Sequence, residues 1–335
     1  MKQRRKERLD RGIKVRSEDI FVLCSWREML YLAGPRILPA LLILVIPLFL
    51  GPYWQKVMIS VCVFSLLAVS WDLLAQAGML SLGHALFFGM GAYITGVLNY
   101  YFKVPIIISI PIATILGGAI STLLLMPALR LRGIYFAMIT LMMPIFMARI
   151  IEATAIFGGT EGLYGLSAIS NKFLESYIIA IVLLIVFFSF RRMLDLDYGL
   201  VMRATSDNDR AVQSSGINIY WTKIQALFFA GAIGAFAGAY MTHIYMFVGI
   251  PVFNLDYSIM PIACAVLGGS GTLAGPLLGA FILVPLSEVL RAMGTLRVVF
   301  YGILMVVIIV LLPEGIFHYI KRKYFQFEHW VDIEK

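Results

Sequence analysis

Charge is what this sequence has least of. Only 14% of its 335 residues are Asp, Glu, Lys or Arg, against 61% hydrophobic, and so few polar groups cannot cover a water-soluble chain of this length. An ordinary soluble domain is excluded. Cysteine is scarce as well: Cys24, Cys62 and Cys264 stand far apart in or beside apolar runs, a spacing that suits neither metal nor redox chemistry and leaves packing as their role. The four histidines, His84, His243, His318 and His329, are scattered, with no HExxH or paired-ligand spacing. No hydrolytic constellation is present. Nowhere does Lys follow Gly, so the GxxxxGK[ST] phosphate loop is absent, and any ATP that drives this chain must be hydrolysed by another. The net charge of +8 resides in residues that flank apolar spans, a pattern of membrane orientation and not of nucleic-acid binding.

What the sequence has in quantity is apolar runs of about 20 residues, each long enough to cross a bilayer as a helix. The fold class expected is all-α, a polytopic transmembrane helical bundle of about ten spans, near 36–53, 57–76, 84–102, 104–128, 133–152, 174–190, 222–247, 257–269, 275–291 and 296–313. The chain then divides into a basic cytoplasmic tail with an interfacial helix (1–35), a membrane domain (36–313) interrupted by a cytoplasmic loop (191–223), and a cytoplasmic C-terminal tail (314–335). The tail's Lys2, Arg4, Arg5, Lys6 and Arg8 are expected to be disordered and to favour anionic lipid. Ser17 to Leu32 places Ile20, Leu23, Cys24, Arg27, Leu30 and Tyr31 on one face, as a surface helix or a packing helix. A cleaved signal peptide is disfavoured, because the first strongly apolar run begins only near Ile37. With both termini inside, all of the 27 Lys and Arg lie inside except Lys56, Lys103, Arg149, Lys172, Arg291 and Arg297, as the positive-inside rule requires. Arg149 with Glu152, and Glu288 with Arg291, are spaced to pair along a helix.

The polar stretch Arg191 to Lys223 is far longer than a typical connection, which suggests a docking element. Its middle predicts a short helix over Asp207 to Ser215, with Ser206 as N-cap, Asp209 completing a capping box, and Gly216 closing it. Ala211, Val212 and Ser215 are small enough for a partner's groove to approach; a capped turn in an ordinary loop fits the same spacing.

Two junctions are glycine-rich and almost uncharged, Gly78-Met79-Leu80-Ser81-Leu82-Gly83-His84 and Gly268-Gly269-Ser270-Gly271-Thr272-Leu273-Ala274-Gly275-Pro276. One falls in each half of the chain, either as broken helices of an internally repeated transporter or as tight turns. His84 beside the first either senses a carboxylate or satisfies a broken-helix backbone. A third island, Gly158-Gly159-Thr160-Glu161-Gly162-Leu163-Tyr164-Gly165, is expected on the outer side and either meets a periplasmic partner, lines the entrance, or is a plain loop. Gly234 with Gly238 and Gly275 with Gly279 have the spacing that lets helices approach, inside the bundle or toward a second subunit. Asp72 is a carboxylate where carboxylates are costly, either functional or a solvated interfacial residue.

These motifs together resemble a known family. Ser81 to Tyr93, Leu129 to Ala137, Gly158 to Leu163, Arg203 to Gly216 and Val266 to Pro276 are similar, in order and spacing, to the M-type integral permease subunits of bacterial branched-chain amino acid ABC transporters. The resemblance implies a multi-pass protein of the bacterial inner membrane, paired with a homologous H-type permease, two P-loop ATPase subunits that bind ATP and Mg, and a periplasmic substrate-binding protein. It assigns no cofactor to this chain. It implies that Arg203, Ser206, Asp209, Ala211, Val212 and Gly216 couple to the ATPase, and that Ser81, Gly83, His84, Tyr93, Gly268, Gly269, Ser270 and Gly271 border the translocation path. Gly158, Gly159, Thr160 and Glu161 would face the binding protein. Where many relatives carry Glu followed by paired alanines, this chain has Asp209, then Ala211 and Val212. Related permeases import urea, short amides and other amino acids. A secondary transporter without ATP would need more buried carboxylates than Asp72, and a membrane-embedded enzyme lacks any grouped catalytic residues.

Overall fold

The computed structural model describes residues 4–8, 26–169, 171–294, 314–325 and 328–332, with isolated positions between 299 and 311. The chain runs through strand β1 (Arg4–Arg8), α1 (Trp26–Phe49), α2 (Pro52–Gln76), α3 (His84–Tyr100) and α4 (Ile106–Leu125) with its terminal 3-10 turn. It continues through α5 (Ile134–Thr154), β2 (Leu163–Tyr164), α6 (Lys172–Leu194), α7 (Asp197–Asp207), α8 (Asp209–Ser214) and α9 (Ile219–Tyr245). Strand β3 (Phe247–Val248), α10 (Asp256–Gly268), α11 (Ala274–Val289), α12 (Ile316–Phe325) and β4 (Glu328–Asp332) complete it. Among the described residues six helices, α2, α4, α5, α6, α9 and α10 with its preceding turn, are long and apolar enough to cross a membrane. The expected span at 296–313 and residues 17–25 of the expected surface helix lie largely or wholly outside the described residues; Trp26 onward belongs to α1.

Local chemistry sets the helix starts. Pro52 stands in the first turn of α2, where its missing N–H costs nothing. Asn171 accepts from the Phe173 amide at 3.0 Å ahead of α6, and Asn218 from the Tyr220 amide at 3.1 Å ahead of α9. The centre is α9, packed between α2, α3 and α4. Small residues permit that closeness: a Cβ on Gly91 would stand 1.9 Å from the Ala235 carbonyl oxygen, and one on Gly238 equally near that of Phe88. Gly279 is held as tightly against the Cys264 carbonyl, between α10 and α11. Both glycine pairs therefore serve packing inside the subunit.

The bundle has two unlike ends. One carries α7 and α8. At the other, the Tyr53 hydroxyl at the start of α2 donates to Glu288 at 2.7 Å, Arg291 pairs with Glu288 at 3.0 Å, and Arg149 with Glu152 at 2.5 Å, the two pairings read from spacing. At this end residues 158–162 of the third island form turns and Leu163–Tyr164 a short strand. Leu163 and Tyr164 pair antiparallel with Val248 and Phe247, and Gly162 (φ +77°) backs onto the Val248 carbonyl, leaving Glu161 exposed. At the termini, Arg4–Arg8, expected to be disordered, pairs antiparallel with Glu328–Asp332. In that ladder Arg4 stands opposite Asp332 and Arg8 opposite Glu328.

Candidate functional site

Both glycine junctions interrupt helical geometry inside the bundle, and the second is also a tight turn, since α10 and α11 pack closely on each other. At the first, α2 ends at Gln76, Gly78 turns the chain with φ +74°, and the strand of loop doubles back until the Ser81 carbonyl accepts from Trp71 Nε1 at 2.7 Å. Helix α3 thus begins within the protein interior. Its leading amides are taken by hydroxyls: Leu82 donates to Thr140 Oγ1 at 3.0 Å, Gly83 to Ser81 Oγ at 3.3 Å, and Ala85 to Ser258 Oγ at 3.0 Å. No side chain fits at Gly83, where a Cβ would lie 1.8 Å from the Thr140 carbonyl oxygen.

His84 does not do the satisfying. It is fully buried with its ring edge-on to Phe87 at 5.1 Å, and neither nitrogen forms a hydrogen bond of good geometry, although the Ser70 carbonyl acts on it. Three hydroxyls already occupy the amides the histidine was expected to serve. Tyr93, two turns on, stacks against Phe253 at 5.6 Å.

The second break follows α10. Gly269 and Gly271 take φ +106° and +84°, beyond the reach of ordinary residues. Its amides meet a carboxylate: Gly271 donates to Asp72 Oδ1 at 2.6 Å and Leu273 to Asp72 Oδ2 at 3.0 Å, while Gln76 Nε2 reaches the same oxygen at 2.8 Å. Asp72 is fully buried, so the solvated reading of it is overturned. Its three donors replace the water it gives up. Ser270 and Gly271 remain exposed, whereas Ser81 and His84 are wholly enclosed.

The two breaks hold each other. Helix α2 leads into the first but supplies Asp72 to the second; α10 leads into the second but supplies Ser258 to the first.

The polar stretch 191–223 is mostly helix. Helix α6 runs on to Leu194, and α7 ends at Asp207 with Ser206 inside it, so Ser206 is not the N-cap. The chain kinks at Asn208 (φ −156°, ψ 96°), whose Oδ1 accepts from Arg210 at 3.1 Å and Ala211 at 3.3 Å to cap α8. An extended Asn aimed at two free amides is the better cap, and the single helix expected over 207–215 becomes an elbow. Gly216 closes it as expected, with φ +82° and its amide on the Gln213 carbonyl at 3.0 Å.

This elbow is seated on the first break. A Cβ on Gly78 would lie 3.1 Å from the Ser206 Cα. Asp209 binds Lys223 Nζ at 3.1 Å, at the foot of α9, and Arg132 Nε at 3.5 Å, ahead of α5. A cavity of about 370 Å³ lies among these parts, bordered by Gly78, Arg132, Phe136, Ser206, Asp209 and Lys223. The Tyr198 hydroxyl donates to the Thr222 carbonyl at 3.2 Å; burial pushes its phenol up to about 12, so it stays a donor. Arg203 donates to the Leu194 carbonyl at 3.3 Å. Val212 is buried, contrary to its expected place on a docking face, while Ala211, Ser215 and Gly216 are exposed.

Sequence reasoning passed over Asn208, Thr140, Ser258 and Lys223. Only Lys223 carried a local signal, a lysine at the edge of an apolar run. It also passed over a polar cluster near the opposite end, where His243 meets Thr95 at 3.0 Å, Ser109 at 3.3 Å and the Ser167 carbonyl at 2.8 Å. Asn99 accepts from the Ser167 amide there at 2.9 Å. Among the described residues no group of His, Cys, Asp and Glu is arranged to hold a metal.

A bundle of membrane-length helices, two of them broken inside it and one break carrying a polar elbow, has the architecture of a transporter's membrane domain. The chain belongs to the family described as branched-chain amino acid transport system / permease component, which matches residues 54–311. Two similar proteins are the high-affinity branched-chain amino acid transport system permease proteins LivM of Escherichia coli K12 and of Salmonella typhimurium LT2. The first is 29% identical and the second 28%, each over 271 residues. That region is 72% of this chain and 64% of each relative, so the chain spans less than two thirds of their length. No solved structure matches the chain.

Proposed function

We propose that this chain is the transmembrane permease subunit of an ATP-binding cassette importer for branched-chain or similar hydrophobic amino acids in a bacterial inner membrane, with both termini in the cytoplasm. It works beside a homologous second permease, takes substrate from a periplasmic binding protein, and is driven by two separate ATPase subunits that bind ATP and Mg. The chain itself performs no hydrolysis. One observation carries the coupling role: the elbow of α7 and α8 touches the first break through Ser206 and Gly78, and is tied by Asp209 to the feet of α9 and α5.

In this reading the ATPases grip the exposed side of α8 around Ala211 and Ser215. Closure on nucleotide moves the elbow, and Asp209 passes that movement to Lys223 and Arg132. The breaks give way because their backbone is already outside helical geometry. Such work is available only if the ATPases bind the two transporter states with different free energy. Ser81, Gly83, His84, Tyr93 and the exposed Ser270 and Gly271 border the path in the open states, and the folded 158–162 segment, with Glu161 outward, receives the binding protein.

Co-expression with its neighbouring transport genes and reconstitution in proteoliposomes tests this. Leucine uptake that needs internal ATP and all subunits is expected. Uptake by this chain alone on an ion gradient would overturn the reading, and a binding protein selective for urea or amides would replace the substrate.

A further inference from the structure

Helix α12 joins the bundle at the second break. Gly315, just ahead of it, takes φ +85°, and a Cβ there would stand 2.3 Å from the Gly269 Cα. Seen from the other side, a Cβ on Gly269 would meet the Glu314 carbonyl oxygen at 2.8 Å and His318 Nδ1 at 3.1 Å. The helix therefore rests on the break through backbone at Gly315 and through the His318 ring beside it. Ile316 packs onto the core around Cys264, Leu267 and Leu283, which fixes the inner side.

The outer side mixes apolar and cationic groups, with Tyr319, Ile320, Lys321 and Arg322 all exposed. At helical spacing Ile316 and Ile320 share one face, and Lys321 and Arg322 the other, while His318 turns toward Gly269. Arg322 reaches Glu314 at 3.6 Å, but both side chains are more than half exposed and the pair holds little. The helix starts shortly after Val310 and Leu311, which are 74% and 70% exposed, an apolar surface that hydrocarbon covers.

We propose that α12 binds anionic lipid headgroups and passes their occupancy to the second break through the Gly315–Gly269 contact. An amphipathic helix with cations on one side and aliphatic or aromatic residues on the other lies in the headgroup layer, held by both terms. Here such a helix shares backbone contact with Gly269, whose amide makes the last helical bond of α10, to the Ala265 carbonyl at 2.9 Å, before the chain turns left-handed. The permease would thus respond to the charge of the leaflet at its α7–α8 end.

The test uses the full chain, its native cysteines replaced by serine, in nanodiscs of phosphatidylcholine alone or with about one quarter phosphatidylglycerol. A nitroxide at Ile320→Cys reports immersion; a second, at Ser270→Cys, reports mobility of the break. Phosphatidylglycerol is expected to immerse the first label and slow the second. Lys321→Gln with Arg322→Gln should weaken the preference for anionic lipid about 30-fold, from roughly 1 kcal/mol per cation. Gly315→Ala should keep the immersion but free the Ser270 label from it. Labels that read the same in both lipids, or a response that survives loss of both cations, overturn the proposal. So does an Ile320 label shielded only when ATPase subunits are added, which would make α12 a protein seat.

Discussion

Asp72 accepts a 2.6 Å hydrogen bond from the amide of Gly271, 199 residues further along the chain. Ser258 answers from the other half by accepting from the Ala85 amide at 3.0 Å. Each break is pinned by a side chain from the helix that leads into the other, so neither can open without disturbing its counterpart.

Asp72→Ala leaves the buried amide of Leu273 and the part-buried amide of Gly271 without their acceptor and is expected to lower stability by about 1 to 3 kcal/mol. Asp72→Asn keeps one acceptor and should lose less. Thermal unfolding of the purified chain in detergent, followed by tryptophan fluorescence, ranks the three; equal midpoints would mean the carboxylate is not what holds the break.

Gly83→Ala and Gly271→Ala separate crowding from strain. At Gly83 the new Cβ has no space, 1.8 Å from the Thr140 carbonyl, whereas at Gly271 nothing lies within 4 Å and only the positive φ opposes it. The second change should cost about 1 to 2 kcal/mol, and the first enough to displace α3 from α5. Expression and monodispersity by size exclusion are expected to fail for Gly83→Ala alone.

The Asp209–Lys223 pair is a candidate for charge exchange. The Lys223 side chain is 11% exposed, so Asp209→Asn strands a largely buried ammonium, and about 1 to 3 kcal/mol of local stability should go. Asp209→Lys combined with Lys223→Asp should recover part of it. Hydrogen exchange across α8 reads both, and a double variant no better than the singles would argue against a direct pair.

On α8, neighbouring residues predict opposite failures. Ala211 is exposed, so Ala211→Arg should leave the fold intact and block co-purification of ATPase subunits; Val212 is 7% exposed, and Val212→Arg should disrupt the fold itself. A pull-down with thermal unfolding of each variant distinguishes them.

Gly216→Val should strain the end of α8 by about 1 to 2 kcal/mol, because only the left-handed conformation (φ +82°) lies there and the space around it is open. Gly216→Asn, which tolerates that conformation, should keep ATP-driven uptake in the reconstituted importer. Equal uptake by the Val and Asn variants would remove this turn from the coupling path.

Helix positions were legible in the sequence because lengths and composition of apolar runs govern them locally. The spans read near 133–152, 222–247 and 257–269 are α5, α9 and α10 within a few residues. Gly78, Gly216, Gly269 and Gly271 fell where the backbone turns left-handed, since only glycine adopts it freely. Less legible was the direction of side chains. Val212 and Ser215 were both read as a docking face, yet Val212 faces inward, and Ser206 and Asn208 are both good caps, with the kink deciding between them.

Composition and the order of residues made this a membrane bundle with one long polar stretch and two glycine-rich interruptions, because too few charges and too many apolar runs admit no other solvent. Only the folded chain decided that Asp72 serves the distant break, that Ser258 serves the near one, and that Asp209 turns inward to Lys223. Those partners are set by how helices cross in space, and a hydrogen bond between positions some two hundred residues apart leaves no period or spacing in the sequence to read.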